Sequence, residues 1–572
     1  MTFSDLAGYF QKLESTASRN SMTEILAGLF RLAKPQEIAE ICYLLQGRTV
    51  PLYEAIEFGV ADKFMIRAIV KAFNVSEEAV KKEFKKFGDL GAAAEALHKG
   101  SGGLTVSEVY KALDMLARVG GAGSQEKKIG LLADLLRGTD ARSARYIARI
   151  PLDKLRLGFS DMTILDALSW MEAGDKSLRT RLEAAYNVRP DIGLLASEVR
   201  KDGVQGLSHI HAKVGAPILA SLCARLPNAD EMIDKMKEVA VEPKYDGVRV
   251  QIHYEKVKSE KLKVKSFSRN LENTTNMFPE LQEIGKELNA DEVILDSEAV
   301  GYDEKHDKLV PFQETSTRKR KHGITQSAKS TPLKFFVFDI LYKDGKELLS
   351  RPLSERRNIL EQTLKNSKHL ILSPQIVTSS ADEIRRYHDA QLKKGLEGAV
   401  VKKWDSIYEP GRAGYHWVKF KEEEGKTGKL TDTIDAVVMG YYRGEGKRSG
   451  FGIGAFLVGV VRGESFVTVT KIGTGVSDEL WKELRVRLNS LKTPTPPKEY
   501  ADVAKSLIPD VWVAPKIVVE LAGDDLTHSP THGAGIAVRF PRLVRLRHDK
   551  SPAQATTVRE LAAMYKNQGT RV

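Results

Sequence analysis

The hydrophobic pattern of the chain changes its period twice, and this change limits the possible folds more than any other feature of the sequence. From residue 1 to about 210, apolar residues recur at helical spacing, as in the segment from Pro51 to Phe73. Between about 213 and 424, strand-like alternation is mixed with helical segments. From about 425 onward, short strand-like segments follow one another with glycines between many of them. The pattern therefore predicts three regions with different architectures.

We predict that these regions are separate domains, because 572 residues are more than a single hydrophobic core usually holds. Residues 1–212 should form an all-α domain, in which glycine- and serine-rich breaks are loops between helices. Residues 213–424 should form an α+β domain. Residues 425–572 should form a small β-barrel of the oligonucleotide-binding class, the OB-fold.

Composition excludes several classes of protein. Cys42 and Cys223 are too few for a disulfide framework or a four-cysteine zinc site, which fits a reducing cytosol. The apolar runs are far shorter than the roughly 20 residues that cross a bilayer, and the N-terminus lacks the pattern of a secretion signal. The net charge of +12 weakly favours a polyanionic partner. We therefore expect a cytoplasmic protein without a membrane partner.

A lysine just before a strand is the central candidate for chemistry. In EPKYDGVRVQIHY, residues 242–254, Val248 and Val250 alternate with polar residues, so a strand follows the Asp-Gly turn. The amine of Lys244 could attack the α-phosphate of a nucleotide, form a phosphoramide and expel pyrophosphate. To attack, it must be neutral, which requires nearby cations or desolvation. Taken alone, the K-x-D-G pattern fits a surface hairpin turn at least as well.

Two arginines and three acids follow at positions that suit a nucleotide site. Arg249 lies in the strand after the turn, opposite its apolar face. Arg269 ends the segment SFSR and is a candidate partner of ribose or phosphate, although taken alone it fits a solvated arginine better. Asp296 and Glu298 lie two residues apart in VILDSEAV, so their carboxylates face one side of a strand. Like charges so placed require solvent or a nearby cation. Glu397 stands at the start of a further strand, in LEGAVVKK.

Aromatic and basic residues in two other strands add to this set. In FFVFDILY, we interpret Phe336 as a core residue and Phe338 as the ring that stacks against a purine. In WVKFK, Lys419 and Lys421 alternate with apolar residues, so they project together and suit phosphate oxygens. Each of these features is common by itself, and their order along the chain gives them weight.

That order resembles the covalent nucleotidyltransferase superfamily, and specifically the ATP-dependent DNA ligases of the archaeal and eukaryotic replicative type. The matching motifs are EPKYDGVR, FSRN, ILDSEAV, VFDILY, LEGAVVKK, WVKFK and RFPRLVRLRHDK. The helical region also resembles the DNA-binding domain of that family, through YLLQGR and LRLGFSDMTILDAL. The resemblance implies an ATP-grasp-like adenylation (nucleotidyltransferase) domain between the helical domain and the OB-fold.

The resemblance also implies roles for individual residues. Lys244 matches the lysine that carries AMP, and Glu242 matches the residue that contacts the adenine amino group. The chemistry agrees, because a carboxylate accepts a hydrogen bond from adenine N6 but would face an acceptor on guanine. The remaining matches are Arg249 and Arg269 for ribose and phosphate, Phe338 for adenine stacking, Glu298 and Glu397 with Asp296 for metal, Lys419 and Lys421 for the α-phosphate, and Arg547, Asp549 and Lys550 for the leaving pyrophosphate.

The activity implied is the sealing of nicks in duplex DNA with ATP and Mg²⁺ or another divalent cation, through a lysine-AMP intermediate and an adenylated 5′-phosphate. Replication, repair and recombination are the processes that such enzymes serve. We expect the protein to be a monomer and to come from a prokaryote, with an archaeon favoured. A sliding clamp is a candidate partner for its recruitment. The barrel must approach ATP and then give way to DNA, so we expect a hinge near residues 422–429.

The sequence departs from the family pattern in three places. The family arginine before the double-lysine strand falls on Ala413, so Arg412, one step earlier, is the candidate there. The segment from Gly215 to Cys223 lacks the usual basic residue, proline and methionine. The third motif has serine between its two acids. In addition, the basic run from Arg318 to His322 fits a phosphate contact or a solvated charge cluster equally well.

Three other functions share parts of this pattern. An RNA capping guanylyltransferase has K-x-D-G and a barrel, but Glu242 argues against guanine and a long helical domain is not expected there. An NAD-dependent ligase is disfavoured by the lack of a four-cysteine zinc site. A non-catalytic DNA clamp of the same ancestry is disfavoured because the lysine, the acids and the basic pairs are all present.

Overall fold

The computed structural model describes the greater part of the chain, in two compact units, Met1–Glu422 and Glu423–Val572. Arg412, Lys421, the basic run 318–322 and the hinge predicted at 422–429 lie outside the described residues. The described residues are 1–155, 157–226, 228–257, 263–303, 305–306, 308–310, 315, 332–365, 368–411, 414–420, 433–444 and 452–567.

The first unit begins with a helical region, which confirms the prediction from the apolar spacing. Capping boxes at Thr2 and Thr105 satisfy backbone N–H groups at the start of two of the helices. The apolar faces of the helices pack into one core around Phe3, Phe10 and Tyr146. Helices α1 to α12 are Phe3–Glu14, Arg19–Leu32, Ile38–Leu45, Asp62–Phe73, Glu77–Phe87, Leu90–Leu97, Val106–Arg118, Ser124–Arg137, Ala141–Arg149, Asp161–Ala173, Arg179–Val188 and Ile192–Asp202, with 3-10 helices at Leu52–Glu54 and Gly203–His209.

Among its described residues, the second part of this unit contains two sheets and three α-helices, as the mixed periodicity predicted. Strands β1 to β11 are Val239–Pro243, Val248–Glu255, Lys263–Ser268, Glu292–Asp303, Lys308–Leu309, Leu333–Lys343, Lys346–Glu347, Leu370–Leu372, Ile376–Thr378, Ala399–Lys403 and Trp417–Phe420. Helices α13 to α15 are Ala229–Met236, Leu353–Thr363 and Ala381–Lys393, and 3-10 helices lie at Thr275–Met277 and Pro279–Glu287.

Each of the two sheets packs against helices on one side. Both sheets also contribute residues to a shared hydrophobic cluster. The four-stranded sheet has the order β11-β10-β1-β9 and packs on α13 and α15. The seven-stranded sheet has the order β3-β2-β4-β6-β7, with β5 on β4 and β8 on β6, and packs on α14. A further cluster joins Ile294 and Leu341 of this sheet to Trp417 of the other sheet. Because β1 and β2 belong to different sheets, Lys244 lies where the chain crosses between them.

The second unit is rich in β-strands, in agreement with the OB-fold predicted for this region. Its main sheet has the order β15-β17-β12-β13-β14-β16, and β18 pairs with both β12 and β21. Its core contains Val438, Phe456 and Trp481. Strands β12 to β21 are Ile434–Tyr442, Ala455–Arg462, Ser465–Ile472, Lys492–Thr493, Tyr500–Ala501, Val511–Val513, Val518–Ala522, Asp525–His528, Ile536–Arg539 and Arg542–Leu546; helices α16 and α17 are Asp478–Asn489 and Val558–Asn567, with 3-10 helices at Lys505–Leu507 and Pro552–Gln554.

None of the helices in the described part of the chain combines the length and the apolar character that a membrane span requires.

Candidate active site

Lys244 lies beside an acid at the junction of the two sheets. Its backbone N–H donates to the carbonyl of Gly398 at 2.9 Å, and its carbonyl accepts from the N–H of Glu397 at 3.1 Å. These bonds bring the loop after β1 against the start of β10. The Lys244 amine contacts the carboxylate of Glu397, and the two side chains are only 22% and 21% exposed. This partly enclosed position argues against the surface-turn alternative for the K-x-D-G segment.

Two glycines allow this close approach. Gly398 has a φ of +120°, and a Cβ there would lie 2.6 Å from the carbonyl oxygen of Phe420. A Cβ on Gly247 would lie 2.5 Å from the carbonyl oxygen of Ala299 and 2.9 Å from Cγ of Glu298. Any larger residue at either position would displace its neighbours. The glycines therefore hold the loop of the candidate nucleophile against β4 and β10.

A buried lysine pairs with Glu242, the residue predicted to contact adenine. Lys402 Nζ donates to both carboxylate oxygens of Glu242, at 2.8 and 2.9 Å, and both side chains are buried. Burial raises the pKa of Glu242, while the charge of Lys402 acts in the opposite direction. The same Nζ lies 4.5 Å from the ring centroid of Phe338 and 4.3 Å from that of Trp417. The sequence did not single out Lys402, although it lies in the quoted motif LEGAVVKK.

The two phenylalanines of β6 occupy different surroundings. Phe338, the predicted stacking residue, lies edge-on to Trp417, with ring centroids 5.9 Å apart, and has the Arg249 guanidinium 5.5 Å from its centroid. Phe336 is only partly buried, so its interpretation as a core residue is wrong. Its ring stacks on that of Tyr245, the neighbour of the candidate nucleophile, with centroids 4.2 Å apart.

Asp296 holds Arg249 in place. Arg249 Nε and one terminal nitrogen donate to the two oxygens of Asp296, at 3.0 and 2.6 Å. The Tyr408 hydroxyl also donates to Asp296, at 2.8 Å, and accepts from the N–H of Ser221 at 3.0 Å. Asp296 is 1% exposed. Both of its oxygens therefore accept hydrogen bonds from other side chains, and the role of Asp296 as a metal ligand stays a prediction.

Two side chains of β2 form hydrogen bonds with the backbone of residues 215–223, the segment that departs from the family pattern. Gln251 accepts from the N–H of Ile218 at 2.8 Å and donates to its carbonyl at 3.0 Å. Nδ1 of His253 accepts from the N–H of Gly215 at 3.0 Å. The segment is therefore held in place through hydrogen bonds to its backbone. Pro217, Ala220, Arg249, Arg269 and Asp296 line a cleft beneath it, which brings both predicted arginines to one place.

Two of the three predicted metal ligands lie near the amine. Burial raises the pKa of Glu298 to about 8, and the charges of Arg249 and Lys244 act against this rise. Glu298 and Glu397 supply hard carboxylate oxygens, and Mg²⁺ commonly binds one or two carboxylates together with phosphates and water. This donor set fits the metal. A separate group of possible metal ligands lies in the helical region, at Glu198, Asp202 and His209. Among the described residues, it is the group of three whose ligand atoms all lie within 4.8 Å of one another.

Four basic residues lie close enough to Cys223 to affect the pKa of its thiol. Burial raises the pKa of this thiol, and the charges of four basic residues act in the opposite direction, which places them all within electrostatic reach of it. One of them, Lys419, donates its backbone N–H to the carbonyl of Ala224 at 3.1 Å. The cations are Arg249, Lys402, Lys244 and Lys419. Three of them are paired with acids, Arg249 with Asp296, Lys402 with Glu242 and Lys244 with Glu397. Basic side chains placed near one another in this way suit the oxygens of a triphosphate.

The predicted R-x-D-K element lies in the second unit, directly after β21. Arg547 donates through one nitrogen to both oxygens of Asp435, at 2.9 and 3.1 Å. Its other two nitrogens donate to Asp549, at 2.9 and 2.7 Å. Lys550 Nζ donates to Asp435 at 2.5 Å. The sequence did not single out Asp435, which lies in a β-strand far from the motif.

The helical region, the two-sheet domain with a lysine beside acids and the OB-fold domain together define a multidomain nucleotidyltransferase of the kind that acts on polynucleotides. Family models match along the chain: the DNA ligase N terminus at residues 2–169, the ATP dependent DNA ligase domain at 217–421 and the ATP dependent DNA ligase C terminal region at 449–550. The chain belongs to the ATP-dependent DNA ligase family. Members of this family use ATP and a divalent metal to join DNA strands.

Relatives match over nearly the full length. The "Probable DNA ligase" of Dictyoglomus thermophilum is 41% identical, covering 99% of this chain and 98% of the relative. The "DNA ligase 2" of Thermofilum pendens is 39% identical over the same shares. The solved structure "Pmar-Lig_PreS3" is 17% identical, covers 95% of this chain and 99% of that chain, and has a TM-score of 0.54, so it supports the fold alone.

Proposed function

We propose that this protein seals nicks in duplex DNA by carrying AMP on Lys244. The observation that supports the proposal most directly is the position of this amine. It lies in the crossing between two sheets, in contact with Glu397, and within the group of cations that also acts on Cys223. A nucleotide bound there would present its phosphates to the amine.

In the first step, Lys244 Nζ attacks the α-phosphorus of ATP as a neutral amine, a P–N bond forms, the nitrogen releases a proton to solvent, and the bond to pyrophosphate breaks. Glu242 and Lys402 bind the adenine edge, since together they offer an acceptor and a donor. Arg249, Arg269 and Lys419 bind ribose and phosphate oxygens, and their positive charges offset the negative charge of the phosphates. A divalent cation held through Glu298 and Glu397 would supply further positive charge against the triphosphate.

The next two steps transfer the activated phosphate to DNA. An oxygen of the 5′-phosphate at the nick attacks the lysine-bound AMP, the P–N bond breaks and the amine is released. The neighbouring 3′-hydroxyl then attacks the DNA phosphorus, loses its proton, expels AMP and closes the strand. Both are in-line displacements, in which alignment of the reacting groups supplies much of the rate.

The surroundings of the reaction follow from the same chemistry. Duplex DNA would be held through its phosphates, with little sequence preference and a strong dependence on salt. We propose that the protein acts as a monomer in a prokaryotic cytoplasm, on nicks left by replication, repair and recombination. A sliding clamp is the class of partner proposed to recruit it. Arg412 and Lys421 are proposed to assist at the phosphates.

The test is covalent labelling with α-³²P-ATP and a divalent cation, followed by denaturing electrophoresis. Wild-type protein should retain label, and Lys244→Ala should retain none. The matched control is Lys256→Ala, which removes an exposed lysine paired with Asp291 and should leave labelling unchanged. Addition of unlabelled nicked DNA should discharge the wild-type label and seal the strand. Retention of label by Lys244→Ala would exclude this lysine as the nucleophile.

A further inference from the structure

Asp435 binds both cations of the R-x-D-K element. Its carboxylate accepts from Arg547 and Lys550, as described above, and it is only 12% exposed. The residue itself is fixed: its backbone pairs with Glu520 of β18, its N–H donates to Thr556 Oγ1 at 3.0 Å, and its carbonyl accepts from the Thr556 N–H at 2.8 Å. Asp435 is therefore a rigid anion at the base of this element.

This arrangement solves an electrostatic problem. Two cations that are to act together on one pyrophosphate repel each other when no anion lies between them. A carboxylate that accepts from both brings their N–H groups to one point, much as a phosphate oxygen would. Arg547 is also within 3.6 Å of Glu520, so it is restrained from three sides by acids. The terminal nitrogens are thus oriented before any nucleotide arrives.

We propose that Asp435 is a positioning residue for the transfer of AMP to lysine, acting through Arg547 and Lys550. This inference rests on the proposed function and on the role that the family resemblance implies for the R-x-D-K element, which is to orient the leaving pyrophosphate. Pyrophosphate takes part in forming lysine-AMP and in no later step. Asp435 is therefore needed for adenylation and for its reversal by pyrophosphate, and it is dispensable once the DNA end carries AMP.

The experiment compares two reactions of full-length Asp435→Asn. Single-turnover labelling with α-³²P-ATP measures adenylation, and sealing of a synthetic nick that already carries 5′-AMP, without ATP, measures the last step. We expect adenylation and pyrophosphate-driven loss of AMP to slow by at least about tenfold, and sealing to stay within about twofold. Asp435→Glu keeps the carboxylate and should recover most of the adenylation. The matched control is Asp524→Asn, which removes a carboxylate paired with Arg542 in the same unit and should change neither reaction.

Other results would overturn the proposal. Faster adenylation in Asp435→Asn would mean that the carboxylate competes with pyrophosphate for the cations. Equal loss of both reactions, without recovery in Asp435→Glu, would mean a purely structural role. Arg547→Ala and Lys550→Ala report on the underlying function: if both adenylate normally, the pyrophosphate role of the element fails, whatever the behaviour of Asp435.

Discussion

Asp296 receives two hydrogen bonds from one guanidinium, from Arg249 Nε at 3.0 Å and from a terminal nitrogen at 2.6 Å. Arg249 makes two more, to the carbonyl of Ser221 at 2.6 Å and to the Tyr408 hydroxyl at 3.3 Å. A guanidinium has five N–H donors. With four of them used by the protein, Arg249 has its plane fixed and acts on a nucleotide through its charge and its remaining donor.

We expect the Tyr408 hydroxyl to contribute to the affinity for ATP, because it is part of this network. Tyr408→Phe keeps the ring but leaves a buried carboxylate and the N–H of Ser221 with one partner fewer, at a cost of about 1–3 kcal/mol. Because the released guanidinium can tilt, we expect the KM for ATP in adenylation to rise by about tenfold. Initial rates of labelling over a range of ATP concentrations measure this KM. Tyr342→Phe, whose hydroxyl donates to Glu292 at 3.0 Å, is the control. An unchanged KM in Tyr408→Phe would show that Asp296 suffices alone.

Lys402 is expected to decide how well the site binds adenine. Lys402→Met keeps the apolar stem between the aromatic rings but removes the cation from a buried Glu242, which raises the pKa of that acid further. We expect weaker ATP binding by about tenfold or more and a smaller preference for ATP over GTP. Labelling with each nucleotide tests both. Lys403→Met, the next residue on the same strand, is the matched control, and equal effects of the two variants would contradict the prediction.

The architecture and the position of Lys244 at the entry to a strand were predictable because they depend on local patterns. Apolar spacing distinguished helical from strand regions, and the K-x-D-G segment marked Lys244 at the start of a strand. The pairing of this lysine with Glu397 was not predictable from spacing. It depends on a crossing between two sheets and on backbone hydrogen bonds to Glu397, 153 positions away, and to its neighbour Gly398.

The roles of polar residues were harder to predict, because they depend on partners distant in sequence. The contacts of Asp296 with Arg249 and Tyr408 were not predicted, since Tyr408 lies 112 residues further along the chain. Lys402 was not singled out from the sequence, although it is buried against Glu242. Such a pairing has no periodic signature, so a single sequence gives no means of finding it.

Gly247 is expected to tolerate no side chain. In Gly247→Ala, the new Cβ would press on the carbonyl of Ala299 and on Cγ of Glu298, and such overpacking costs about 1–3 kcal/mol. Because Glu298 would shift relative to the amine, we expect adenylation to fall by more than the loss of stability explains. The rate at saturating ATP and the melting temperature are measured together. Gly103→Ala, where a Cβ meets nothing within 4 Å, is the control. Near wild-type labelling by Gly247→Ala would contradict this account of the loop.

His253 is expected to make β2 sensitive to acid. Burial lowers the pKa of its imidazole from 6.5 to about 3, with a smaller contribution from the charge of Lys265. Nδ1 accepts from the N–H of Gly215, so the proton must be on Nε2, which donates to Gln251 at 2.9 Å. A second proton would need Nδ1 and would break the bond to Gly215. The folded protein therefore keeps this histidine neutral.

The sign of the effect follows from this lowered pKa. An exposed histidine takes up a proton near pH 6.5, whereas His253 in the folded protein does not do so until about pH 3. Its contribution to stability is therefore complete above pH 6.5 and is lost as the pH falls toward 3. Between pH 7 and 5 the loss is about 2 kcal/mol, or roughly a 30-fold change in the opening equilibrium of β2. Hydrogen exchange of a peptide covering β2, corrected for intrinsic rates, measures this change in wild type and in His253→Asn. The variant lacks the titrating group, so its opening equilibrium should change less over this range, and parallel pH dependence in the two proteins would assign the acid sensitivity to other residues.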